Sequence, residues 1–163
     1  MAIDGEWELF RINRRTDYAV RVMLCLAKRS FGTRLPTLLI QSEMRTPHAF
    51  LQRIIADLSK ADLIHTYPGP NGGVQLARPA HNISLRNIWE AIEGPFLISE
   101  CIDKPEDCPM NPGCPVRSHW TRLQCTIVRD LESTSLDQLA HEAQFTLLQA
   151  THTASLTPKK TIN

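Results

Sequence analysis

Cys101, Cys108 and Cys114 are separated by six and five intervening residues, in a stretch that also holds Pro105, Pro109, Pro112 and Gly113. Such a chain can curl around an object. Thiolates are soft donors, suited to zinc or to iron–sulfur cores. Structural zinc sites more often use cysteine pairs two to four residues apart. Wider spacing suits thiolates wrapping an iron–sulfur core, for which protein cysteines are the usual ligands. Three thiolates leave one ligand to come from elsewhere, and a weaker non-cysteine bond marks the iron that a small molecule or oxidant would attack first. That is sensor chemistry. Zinc, or three loop cysteines with no shared role, are the alternatives that spacing leaves open. Cys25 and Cys125 lie within helical patterns, where a thiol usually acts as a small buried hydrophobe, and both are read as structural. No Ser/His/Asp, paired-carboxylate or phosphate-loop arrangement is present, so the chain is not expected to be an enzyme.

The segment from Phe96 to Gly113 carries four acids, three prolines and no helical or strand periodicity. It cannot build a core of its own, so its neighbours must order it. Downstream, Pro115 opens a long helix, 115–133, with Val116, Trp120, Leu123, Ile127 and Leu131 on one stripe. An apolar stripe at the end of a small chain needs a partner surface. A second copy across a two-fold axis is the economical one, with packing inside the chain as the alternative. Ser135 with Gln138 predicts a capping box for a last helix ending near Ala143, followed by a flexible tail over 144–163.

Upstream, Tyr18, Ala19, Val22, Cys25 and Leu26 repeat at helical spacing between Thr16 and Arg29, leaving Arg14, Arg15, Arg21 and Lys28 on other faces. After a break at 30–36, Thr37 is placed to cap a short helix bearing Leu39, Ile40 and Met44. Thr46 is placed to cap the next, with Pro47 at its first position. The second helix buries Leu51, Ile54, Ile55 and Leu58 and presents His48, Gln52, Arg53 and Lys60. Two short helices joined that tightly form a helix-turn-helix unit. Strands from Leu63 to Tyr67 and Val74 to Leu76, joined by a glycine-rich turn at 68–73, add a wing. Ser84 caps a further helix with Leu85, Ile88 and Ile92 inside, Ile83 as a staple and Gly94-Pro95 as its stop. The expected fold is mainly α with a small β wing, divided into an extension (1–10), a winged DNA-binding head (11–95), a cysteine loop (96–114) and a dimerisation segment (115–143).

Charge supports a nucleic-acid reading. Residues 1–10 carry −3, residues 11–80 carry +7 and residues 81–163 carry −3, within a chain whose net charge is +1. A basic block on a near-neutral protein suits phosphate neutralisation with counterion release. By position, His48, Gln52 and Arg53 are candidates for base edges. Thr37 and Thr46 are candidates for phosphate at helix N-termini, and Asn71 with Gly72 for the minor groove. The implied partner is palindromic double-stranded DNA bound by a homodimer. No apolar run is long enough to span a bilayer, and Asp4, Glu6 and Glu8 replace the positive start of a signal peptide, so a cytoplasmic location is expected. The rival from another class is a small iron–sulfur redox protein, which would account for the cysteines but not for the head.

The segments Arg15-Thr16-Asp17-Tyr18-Ala19-Val20-Arg21, Leu63-Ile64 through Gly69-Pro70-Asn71-Gly72-Gly73, Ile83-Ser84-Leu85 and Glu90-Ala91-Ile92-Glu93-Gly94-Pro95 join the three-cysteine loop in a pattern covering roughly 12–140. Together they resemble the Rrf-two superfamily of winged-helix iron–sulfur regulators, whose branches include IscR-like and NsrR-like members. The resemblance implies a homodimer whose cluster lies before the dimerisation helix. In the IscR-like pattern a histidine follows the third cysteine by three residues. Here that position is Arg117, and His119 is displaced. In the NsrR-like pattern an aspartate of the first helix, from the other subunit, completes a 4Fe–4S cluster, and the matching residue is Asp17. Without the resemblance Asp17 is an ordinary first-turn carboxylate. Other members hold a 2Fe–2S cluster through a Glu and a His of the first helix, and Arg21 occupies the histidine's place. The chain departs from the family in having six residues rather than five between the first two cysteines, Asp62 where glycine is common, and nine extra N-terminal residues, among which Glu6 or Glu8 could compete as a ligand. The implied function is a repressor responding to nitric oxide or redox stress, with iron or cluster supply as the alternative signal.

Overall fold

The computed structural model describes residues 12–70 and 72–144. The extension with Glu6 and Glu8, the wing residue Asn71 and the tail expected after 144 lie outside the described residues. The elements are α1 (Arg14–Ala27), α2 (Thr37–Met44), α3 (His48–Lys60), β1 (Ile64–Tyr67), β2 (Gly73–Leu76), α4 (Leu85–Glu93), the single turn α5 (Glu100–Asp103) and α6 (Arg117–Ser133). A last helix, α7, is described over residues 136–144. The architecture is the expected one, mostly helical with a two-stranded antiparallel sheet.

Helix α1 begins at Asn13, whose side chain accepts from the Arg15 amide at 3.1 Å, and it buries Ala19, Val22, Met23, Cys25 and Leu26. Relative to caps at Thr37 and Thr46, α2 starts one residue earlier and α3 one residue later. Pro36 caps α2, its carbonyl accepting from the Leu39 and Ile40 amides, and Thr37 is the first helical residue. Pro47 caps α3 in the same way, accepting from Phe50 and Leu51 at 3.0 Å each. Thr46 is therefore not a cap. It is buried, with its hydroxyl donating to the Met44 carbonyl at 3.4 Å. The reason is local: an extended proline supplies a carbonyl at the helix start, and having no N–H it leaves no donor there to satisfy. The sharp turn between the helices uses Arg45 in the left-handed region, at φ 47°.

The core is a single cluster in which Leu51, Ile54, Ile55 and Leu58 of α3 meet α1, α4 and β1. Asp62 is also left-handed (φ 54°), which explains why glycine suits this position. In the wing, β1 pairs with β2 from Ile64↔Leu76 to Tyr67↔Gly73. Leu35 adds a third edge, exchanging two 2.9 Å backbone hydrogen bonds with Val74. Ser84 forms a complete capping box with Asn87, and Gly94 ends α4 at φ 83°.

Three expectations change in the C-terminal half. The cysteine segment is not devoid of regular structure, because α5 and a 3-10 turn at Pro105–Asp107 organise it. Helix α6 starts at Arg117 rather than Pro115. The chain after α6 is part of the head: the Leu136 amide donates to the Ile83 carbonyl at 2.8 Å, and Leu136 is fully buried in the core. Residues beyond the boundary expected at 115 thus also pack against the head. Gln138 supplies only half of the expected capping box. Its amide donates to Ser135 Oγ, while its side chain donates to Glu142.

At Gly73, φ is 148° and an added Cβ would lie 2.5 Å from the Leu35 carbonyl oxygen. Gly73→Ala is expected to destabilise the head by about 1–3 kcal/mol, as strained positions do. Urea unfolding followed by circular dichroism measures this, and an unchanged midpoint would show that the Leu35 edge yields freely.

Candidate nucleic-acid interface and thiol site

Because the apolar stripe of α3 is locked in the core, its opposite face is held outward. His48, Gln52 and Arg53 are all exposed there. Arg53 borders a cleft of about 380 Å³ lined by Arg15, Phe50, Ala56 and Asp57. Asp57 lies one helical turn after Arg53 and pairs with Arg15 of α1, which offsets its carboxylate. On the other flank, Gln52, Ser59 and Lys60 of α3 face the wing across a larger cleft of about 670 Å³, closed by Thr37, Thr66, Tyr67, Pro68 and Gly73. Thr37 thus sits at the free N-terminus of α2 and beside the wing. Gly72 is fixed by geometry, since a Cβ there would lie 2.1 Å from the Tyr67 carbonyl oxygen.

One cation was passed over in the sequence. Arg34 stands in the break before α2, where no periodicity marks it, yet its guanidinium lies over the Tyr67 ring, 3.7 Å from the centroid. The Tyr67 hydroxyl accepts from Gln75 Nε2 at 3.1 Å, which fixes the ring.

The three thiols lie on a strap between α4 and α6. Cys101 sits in α5, its Sγ 3.1 Å from Ser99 Oγ. Cys108 follows the 3-10 turn, its amide donating to the Pro105 carbonyl, and Cys114 precedes α6. The strap is tied to α6 by the Ile98 amide donating to Gln124 Oε1 at 3.0 Å and by the Arg117 side chain donating to Asn111. All three cysteines are free and partly buried. Among the described residues, no three His, Cys, Asp or Glu side chains converge on a point where a metal would bind. The donor set nevertheless fits an iron–sulfur core in its chemistry: three accessible thiols on one short segment, shielded from bulk solvent without being sealed from it.

The other cysteines differ from these three and from each other. Cys25 is fully buried, as expected, and donates to Glu43 Oε2 at 3.3 Å. Burial first, then the hydrogen bond and charge of Glu43, push its thiol up to about 12, which keeps it protonated and unfit as a ligand. Cys125 is exposed on α6, contrary to the expectation of burial, because α6 packs on the head by a different face. Asp17 is half exposed on the first turn of α1 and pairs with Arg21 at 2.7 Å. Its neighbour Thr16 is buried, its hydroxyl donating to Glu93 at the end of α4.

Comparison with known proteins agrees with this architecture. A family model described as "Rrf2: Iron-dependent Transcriptional regulator" matches residues 12–142. The transcriptional regulator NsrR of Oceanobacillus iheyensis is 28% identical over 129 residues, covering 78% of this chain and 88% of that protein. The structure of T. potens IscR is similar with a TM-score of 0.63 at 25% identity, covering 82% of this chain and 88% of that one. CymR, described as the global cysteine regulator of B. subtilis, gives a TM-score of 0.65 at 22% identity over 82% of this chain and 98% of that one, a likeness of fold alone. The family includes iron–sulfur regulators as well as a cysteine regulator, so the signal has to be argued from this chain's own residues. The family match extends from just before α1 into α7, and the chain therefore belongs to the Rrf2 family of winged helix-turn-helix transcription regulators, proteins that act by binding DNA and not by catalysis.

Proposed function

We propose that two copies of this chain pack through α6 and read a palindromic operator, and that operator affinity is set by an iron–sulfur cluster. Cys101, Cys108 and Cys114 of one subunit and Asp17 of the partner subunit would hold it. The observation that carries this reading is the strap itself, three free, partly buried thiols between the head's exit at Gly94 and the start of α6.

The dimer reading rests on α6. Val116, Trp120 and Leu123 recur at helical spacing and are 45%, 38% and 43% exposed, an apolar line that water solvates poorly. Its continuation through Ile127 and Leu131 lengthens the stripe. Asp17 suits a ligand from a second chain. An exposed i,i+4 pair such as Asp17–Arg21 contributes only about 0–1 kcal/mol, so the carboxylate can exchange its partner at little cost.

A bound cluster, 4Fe–4S on the Asp17 argument and 2Fe–2S otherwise, would supply iron that reacts with nitric oxide and oxidants. The protein's part is geometric. Asp17 ties the first turn of one subunit's α1 to the strap of the other, and this tie fixes the spacing of the two α3 helices. When Asp17 is released, the heads rotate and the half-site spacing no longer fits, so the operator is vacated and transcription is derepressed. Within each head, His48, Gln52 and Arg53 reach base edges, Thr37 meets phosphate, and Gly72 with Asn71 approaches the minor groove. Thr46, buried beneath the turn, serves the fold instead.

Three measurements test this reading. Anaerobic purification should yield iron and sulfide together, and Cys108→Ser should lose both. A colourless zinc-bound or metal-free protein that binds DNA regardless of nitric oxide would remove the cluster and leave the regulator. Asp17→Ala should fold normally but lose the nitric oxide response of operator binding; full cluster content with an unchanged response would eliminate Asp17. Arg53→Ala should weaken operator binding by about 1–3 kcal/mol and relax specificity at one base pair per half-site. An unchanged footprint and affinity would show that Arg53 does not read sequence.

A further inference from the structure

The larger cleft has a shape and a charge that the reading above leaves unassigned. One wall is the flank of α3 with Gln52, Ser59 and Lys60, the other is the base of the wing with Thr66, Tyr67 and Gly73, and Thr37 stands at one end. Among the described residues, no acidic side chain lines it. Arg34 lies over the ring of Tyr67, one of the lining residues, on backbone that the Leu35–Val74 pairing fixes to the wing. Among the described residues, neither Arg34 nor Lys60 has a carboxylate within ion-pair distance, whereas Arg15, Arg21, Arg29 and Arg86 all do.

An arginine stacked face-on against an aromatic ring loses side-chain freedom while its N–H donors stay available at the edge of the guanidinium plane. Arg34 is thus preorganised without being neutralised. Tyr67 is itself held by Gln75, so the stack has a fixed base. Three residues after Arg34, α2 begins at Thr37, which lines the cleft, and Pro36, a cap with no side-chain acceptor, supplies only its carbonyl, to the Leu39 and Ile40 amides.

We propose that this cleft is a phosphodiester channel, in which Arg34, Lys60 and the N-terminus of α2 hold the DNA strand that crosses between the major groove read by α3 and the minor groove reached by the wing. The proposal rests on the docking of α3 and wing described above. If α3 lies in one groove and the wing in the next, the backbone dividing the two grooves has to pass between them. The cleft is the gap between those two elements, and its unpaired charges are positive. Such contacts set register and total affinity but carry no base information. Arg34 is therefore a positioning residue for DNA, whereas Arg53 is a reading one.

The test measures affinity for a palindrome selected from random DNA by this protein, and for unrelated duplex, across a series of salt concentrations. Arg34→Ala and Lys60→Ala should each weaken both DNAs by the same factor. Each should also reduce the slope of log K against log salt by about 0.9 for every protomer engaged. Tyr67→Leu should weaken binding while the slope stays near the parent's, because the charge remains and only its placement is lost. Unchanged slopes in both alanine variants would overturn the channel, and so would a loss confined to the selected palindrome, which would make these residues base readers. Arg53→Ala separates this failure from failure of the docking. If Arg53→Ala relaxes discrimination at its base pair while Arg34→Ala and Lys60→Ala change nothing, the channel alone is wrong. If none of the three has an effect, the placement of α3 is wrong as well.

Discussion

The head depends on one act of burial, the insertion of Leu51, Ile54, Ile55 and Leu58 of α3 between α1, α4 and β1. A fully buried leucine or isoleucine contributes about 1.5–3 kcal/mol relative to exposure, and four on one helix leave it a single rotational setting. Once that setting is fixed, His48, Gln52 and Arg53 have to face outward together. The wing is anchored to the same core through Ile64, Val74 and Leu76, so α3 and the wing are positioned by one cluster.

The C-terminal half shows the opposite economy. Residues 96–116 bury little of their own, and α6 contributes no fully buried residue, yet the chain does not drift away. It is clamped at both ends, by the Ile98–Gln124 hydrogen bond near the start and by the return of Leu136 into the core. Helix α6 is thereby held against the head while Val116, Trp120 and Leu123 stay exposed.

Electrostatics divides the cations into two groups. Arg15, Arg21, Arg29 and Arg86 are tied to carboxylates on neighbouring turns or elements, where they serve the fold and offset acids such as Asp57. Among the described residues, Arg34 and Lys60 carry no such partner; Lys60 lines the cleft beside the wing and Arg34 stacks on Tyr67, which lines it too.

Much of this was legible in the chain itself. The 3.6-residue periodicity of α1, α3, α4 and α6, the Ser84 box, the Gly94 stop and the glycine-rich wing turn are local signals, and local physics realises them. The grouping of three cysteines between a helix stop and an apolar stripe was equally plain, as was the basic block. Other features required the third dimension. The caps of α2 and α3 fall on Pro36 and Pro47 rather than on Thr37 and Thr46, and Thr46 is instead buried, its hydroxyl donating to the Met44 carbonyl. Cys125 became exposed because which face of α6 meets the head is decided by α4 and the strap and not by helical periodicity. Leu136 returned to the core, and Arg34 found Tyr67, across separations in sequence that no pattern spans. Sequence determined which elements form and which faces they must hide, since those are properties of neighbouring residues. Only tertiary packing decided which charges are neutralised and which remain free, because a charge's partner is chosen by distance in space.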